Sequence, residues 1–186
     1  MVELSALWLP ILLSAVLVFV ASSIMHMLLP YHRSDYAKLP NEDSILEGLR
    51  KEGVVPGNYH FPHATRHKEC STPAMMEKLK KGPVGLVNII PNGPPNMGKF
   101  LGQWFAYCLV LSFVVAYLTG RTLASGAEYL AVFRVAGTAG LLGYAGSAAT
   151  DSIWKGQSWS TTRKFLFDGL VYGALTAGVF GWLWPR

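Results

Sequence analysis

The sequence predicts an all-α integral membrane protein: four transmembrane helices, with a small mixed subdomain in the cytoplasmic loop between helices 1 and 2. Three observations predict it. The chain of 186 residues is 51% hydrophobic and 15% charged, with a mean hydropathy of +0.30, where a soluble domain carries roughly 25% charge. Four apolar runs reach the roughly 20 residues that a bilayer crossing needs. Lys and Arg cluster at alternate ends of those runs, as a fixed orientation requires. The same composition excludes a disordered chain, and two cysteines exclude a disulfide scaffold.

The first run, residues 6–29, has Pro10 early and Pro30 as its stop, which makes 1–30 the first membrane segment. No Lys or Arg precedes it in Met-Val-Glu-Leu-Ser, so it reads as an uncleaved anchor and not as a signal peptide. The second run, 100–118, is ended by Gly120 and defines segment 100–120. The third, 129–150, follows a short outer loop within 121–150. The fourth, 165–184, is ended by Pro185 and follows an inner loop within 151–186. None of the runs has a polar face, and a helix apolar all round belongs in lipid or deep in a core.

Orientation follows from the basic residues. Arg33 and Lys38 follow run one, Lys78, Lys80, Lys81 and Lys99 precede run two, and Lys155, Arg163 and Lys164 lie between runs three and four. Only Arg121 and Arg186 fall on the other side. The long loop is therefore expected in the cytoplasm, with both termini outside. Trp8, Trp182 and Trp184 would mark the outer interface, and Trp104, Trp154 and Trp159 the inner one. This placement accounts for the net charge of +5. Residues 31–99 mix ten Lys/Arg with seven Asp/Glu, which is not the basic stripe of a nucleic-acid binder. Membrane lipid is the expected partner of the surplus charge.

Within the 31–99 loop, residues 41–52 predict a short helix stopped by Gly53. Residues 72–81 predict a second, with Thr72 as cap, Pro73 at the first helical position and Gly82 as its end. Residues 84–90 and 57–61 read as strands, and 91–98, dense in Pro and Gly, as an ordered turn.

Small residues recur four apart in run four (Gly169, Gly173, Ala177, Gly181) and in run three (Ala139, Gly143, Ser147). That spacing puts each set on one helix face, where another backbone can approach closely. The faces suit packing inside the bundle or docking against another membrane subunit or a second copy.

The densest chemistry is His60, His63, His67 and Cys70, spaced H-x2-H-x3-H-x2-C. All four side chains are candidate ligands for a transition metal, although Pro62 prevents a helix from aligning them. Gly93-Pro-Pro-Asn-Met-Gly-Lys matches most of a phosphate-binding loop, but Phe100 stands where the hydroxyl belongs and Pro94 and Pro95 remove two N–H donors. No nucleotide is expected. Ionisable residues inside the runs are His26, Arg134, Asp151 and Asp168. Such groups are costly in a membrane and face protein or water. The topology puts His26, Asp151 and Asp168 at similar depth near the cytoplasmic end, where a His–Asp pair could relay protons or simply satisfy each other, and Arg134 near the opposite face. Cys108, in run two, is expected to be a small core residue.

The stretch Asp151-Ser-Ile-Trp-Lys-Gly-Gln-Ser-Trp-Ser-Thr-Thr, a glycine-laddered final span and a closing Trp-Leu-Trp-Pro resemble the C-terminal part of small bacterial multi-span membrane proteins of unknown function. The resemblance covers about a fifth of the chain and implies a bacterial inner-membrane location and nothing catalytic. With no catalytic motif present, the sequence reads first as a non-catalytic accessory or scaffolding subunit of a larger membrane complex. Two alternatives stand beside it: a metal- or haem-handling protein using the His60 cluster with His26 or His32, and a dimeric proton-coupled small-molecule carrier using His26 and Asp168.

Overall fold

The first apolar run folds as a continuous helical rod, Leu4–Leu28, in a computed structural model that describes all residues from 1 to 186. Its regular part is α1, Trp8–Ser23; a 3-10 turn at Leu4–Leu7 precedes it and a π turn at Ile24–Leu28 follows. Pro10 sits in the first turn, where its missing N–H costs nothing. Leu29 is extended (φ −80°, ψ 139°), as a residue before proline must be, and Pro30 then opens a 3-10 turn at Pro30–Ser34.

The loop subdomain matches its predicted elements. It holds α2 at Glu42–Lys51, β1 at Gly57–Phe61, α3 at Pro73–Lys81 and β2 at Gly85–Ile89. The strands are antiparallel, with Tyr59 opposite Val87 and His60 opposite Leu86. Thr72 caps α3 through the Met75 N–H. Gly53 and Gly82 end the two helices at φ +64° and +61°, where a side chain would be strained. No residue from 26 to 107 is buried. The subdomain therefore has no core of its own, and beyond Asp35 its ion pairs are local, Lys38–Glu42 and Arg50–Glu47.

α4, Met97–Thr122, begins where Asn96 accepts the Lys99 N–H. The phosphate-loop look-alike is thus a helix cap. The third run departs from expectation. It is not one helix over 129–150: α5 covers Tyr129–Ala145, and after a break at Gly146 a short α6 covers Ala148–Trp154. A Cβ on Gly146 would lie 2.4 Å from the Leu142 carbonyl oxygen, so only glycine fits the break. The 17 residues of α5 span about 25 Å, short of the roughly 30 Å hydrocarbon core. α7, Trp159–Trp182, starts six residues earlier than predicted because Ser158 caps it at the Thr161 N–H. Three helices are long and apolar enough to cross a membrane: Leu4–Leu28, Met97–Thr122 and Trp159–Trp182.

The glycine ladder of run four is spent inside the bundle, against α5. A Cβ on Gly173 would lie 2.9 Å from the Leu141 backbone nitrogen, one on Gly169 would strike Ala145, and one on Gly181 would strike the Tyr129 ring. From the other side, Gly137 meets Ala177 and Gly140 meets Gly173. Of the predicted run-three face, Ala139 packs on the core, Gly143 meets Leu111 of α4, and Ser147 lies in the break. α1 and α4 are joined by polar contacts: Ser14 to Ser112 at 3.0 Å, and the Trp104 indole N–H to Ser22 Oγ at 2.7 Å.

One end of the bundle is closed by the chain's own ends. The Val2 N–H donates to Gly120 O, the Gly126 N–H to Pro185 O, and the Trp184 indole N–H to Ala124 O. Trp184 is therefore turned inward, as Trp104 is at the opposite end, whereas Trp8, Trp154, Trp159 and Trp182 are exposed. The outward faces of the helices are apolar: Val110, Phe113, Leu142 and Leu170 are each at least half exposed.

Candidate functional site

At the open end of the bundle the turn after Pro30 folds back onto α7. His26 lies within the π turn that ends α1. Such a turn inserts an extra residue and shifts the helix by about 100° of phase. Tyr31 and His32 follow on the 3-10 turn, and Asp168 faces them from α7, with only 2% of its side chain exposed.

The polar side chains form a connected chain. Tyr31 Oη donates to Asp168 Oδ1 at 2.5 Å. His32 Nε2 lies 2.9 Å from Asp168 Oδ2, and its Nδ1 lies 2.6 Å from Asp35 Oδ2. Asp35 in turn accepts from Lys164 Nζ at 2.5 Å. His26 Nε2 is 3.8 Å from Asp168 Oδ2, and its Nδ1 is 3.2 Å from the Ser22 carbonyl. The two imidazoles stack, with centroids 4.1 Å apart and planes 18° apart. Asp168 has no Lys or Arg partner, so its charge is met by histidine and phenol alone.

The shifts outside the spans follow from these contacts. Burial and then the Asp168 carboxylate push the Tyr31 phenol well above its ordinary range, so Tyr31 is a fixed donor. For Asp35, burial acts upward, but the hydrogen bonds from Lys164 and His32 outweigh it and hold the carboxyl below its ordinary range.

Beside His26 and Asp168 opens a cavity of about 630 Å³ between α1, α4, α5 and α7. Its walls are mostly apolar and include Met27, Leu101, Trp104 and Phe165. Three phenols also line it: Tyr107, which donates to the Gly143 carbonyl at 3.1 Å, Tyr144, packed beside Cys108 and Ser112, and Tyr172, whose hydroxyl is buried without a hydrogen-bond partner.

The structure brings His26 and Asp168 together, joins to them His32, expected beside the loop cluster, and adds Tyr31, Asp35 and Lys164. Asp151 stays apart, paired with Lys155 at 2.7 Å. Arg134 is exposed on α5. His60, on β1, and His63, His67 and Cys70 are all exposed. The three-residue group whose ligand atoms lie within 4.8 Å of one another is His26, His32 and Asp168, not a set drawn from the loop cluster. Cys70 and Cys108 are both free thiols, Cys108 buried as expected. Compared with known protein families, curated proteins and solved structures, the chain matches none.

Proposed function

We propose that this is a four-span protein of the bacterial inner membrane, its long loop cytoplasmic, that binds one amphipathic small molecule. The apolar outer faces suit lipid. Connectivity supports a fourth crossing: α4 ends at the closed end and α7 begins at the open end, with α5 running between them. The exposed Trp8 and Trp182 suit one interface and Trp154 and Trp159 the other.

The observation that supports binding is the cavity itself, lined in part by Tyr172, whose hydroxyl is buried behind that wall with no hydrogen-bond partner. An unmade hydrogen bond of this kind costs about 1–3 kcal/mol. A ligand headgroup with an acceptor oxygen would satisfy it, while the apolar walls hold the ligand's body. Mostly apolar lining with a few convergent polar groups is the composition of a small-molecule site. Tyr144, beside Cys108 and Ser112, adds a second buried hydroxyl to the same wall. The glycine faces that favoured an accessory-subunit reading are engaged inside the bundle, so the geometry favours the small-molecule reading built on His26 and Asp168.

Native mass spectrometry of the detergent-released protein tests this. Wild type should retain one amphipathic species that Tyr172→Phe loses by tenfold or more. The ligand-free variant should be more stable, because the substitution removes only the unpaired hydroxyl. Equal retention by both proteins would overturn the proposal.

A further inference from the structure

We propose that His26, His32 and Asp168 bind one divalent transition-metal ion at the polar edge of the cavity, without the loop histidines. The donor set is two imidazoles and one carboxylate, which suits zinc, iron or a neighbouring first-row ion. With metal–ligand bonds of about 2.1 Å, adjacent donors sit about 3–3.5 Å apart. The observed separations from Asp168 Oδ2, 2.9 Å to His32 Nε2 and 3.8 Å to His26 Nε2, bracket that range.

The surrounding contacts point the same way. Each donor is oriented by a separate outer partner: His26 Nδ1 by the Ser22 carbonyl, His32 Nδ1 by Asp35, and Asp168 Oδ1 by the Tyr31 hydroxyl. Outer partners of these types fix ring tautomers in metal sites. With the Nδ1 proton given outward on each ring, both Nε2 lone pairs converge on one carboxylate oxygen. Three electron-rich atoms facing each other need a cation or a proton between them. The charge count agrees, because Asp35 is matched by Lys164 while Asp168 has no fixed cation.

An imidazole binds metal in its own plane, so two stacked rings cannot both do so as they stand. His32 is held at both nitrogens, with 9% of its side chain exposed, while His26 is 41% exposed and held only through Nδ1. His26 is therefore the ligand that turns out of the stack on loading. Both His26 and Asp168 line the cavity, so coordination positions left by the protein open into it.

The test uses the full chain in detergent, stripped with chelator and titrated with Zn²⁺ against a chromophoric competitor, then with Co²⁺ followed by its visible ligand-field bands. One equivalent should bind. His26→Ala, a change at a half-exposed side chain that leaves the fold intact, should weaken it about 100-fold. Asp35→Asn should weaken it about 10–100-fold through His32 alone. A combined His60→Ala, His63→Ala, His67→Ala, Cys70→Ser protein should bind as wild type. The proposal is overturned if wild type takes up no stoichiometric metal at micromolar concentration, if His26→Ala leaves affinity unchanged, or if binding follows the loop cluster.

Discussion

His32 Nε2 lies 2.9 Å from Asp168 Oδ2, joining residues 136 apart in the chain. The contact ties the turn after the first helix to the start of the last, and it closes the open end of the bundle around one buried carboxylate. Tyr31, bonded to the other oxygen, makes the same connection from the neighbouring position.

Asp168→Ala should therefore destabilise the metal-stripped protein by about 1–3 kcal/mol, because the Tyr31 hydroxyl and the His32 nitrogen lose their acceptor together. Asp168→Asn keeps an acceptor for Tyr31 and should cost less. Thermal melting in detergent, with chelator present, reads the order. Equal melting of wild type and Asp168→Ala would mean the network adds no stability.

The Asp35 carboxyl gives a pH signature. Its folded value is held below the ordinary 3.8, so its contribution is fully present above that value. It is lost as pH falls through the lower folded value. Wild type should be more stable than Asp35→Asn at neutral pH, and the two should converge as the pH drops below about 4. Melting temperatures across that range check the sign; a gap that widens in acid contradicts it.

Gly173→Ala should destabilise by about 1–3 kcal/mol, since its Cβ would press on the Leu141 backbone, which cannot rotate away. Gly102→Ala, with open space at its Cβ position, is the control, and should be neutral or slightly stabilising through helix propensity of about 1 kcal/mol. Paired melts separate a packing effect from a general dislike of substitution in the bundle.

Orientation can be read with the native thiols. Cys70 is exposed and Cys108 buried, so a membrane-impermeant maleimide should leave intact bacterial spheroplasts unlabelled and modify Cys70 once they are permeabilised. Labelling of intact spheroplasts, absent in Cys70→Ser, would place the loop outside.

Much of this was legible from residue type and position. The apolar runs marked the long helices because hydropathy over 20 residues is a sum, tolerant of local detail. The break at Gly146 was not, since nothing in the sequence separates that glycine from Gly140 or Gly143, which stay helical. Depth reckoning along the helices brought His26 and Asp168 together. It missed Tyr31 and Asp35 and left His32 with the loop cluster, because their return onto α7 depends on the path of the chain after Pro30, a tertiary outcome. The signals available were the proline itself and the spacing of His26 and His32. The loop histidines drew attention by density, but β1 and the 3-10 turn at His67–Ser71 carry them without convergence.

The loop subdomain buries nothing, and its hydrogen bonds are internal. It is moored to the helices at two points, Asn96 at the head of α4 and the turn ending at Asp35. Asp35 is also the group that steadies His32. The chain thus leaves the bundle for the subdomain beside the residue whose carboxylate holds the imidazole at the mouth of the cavity.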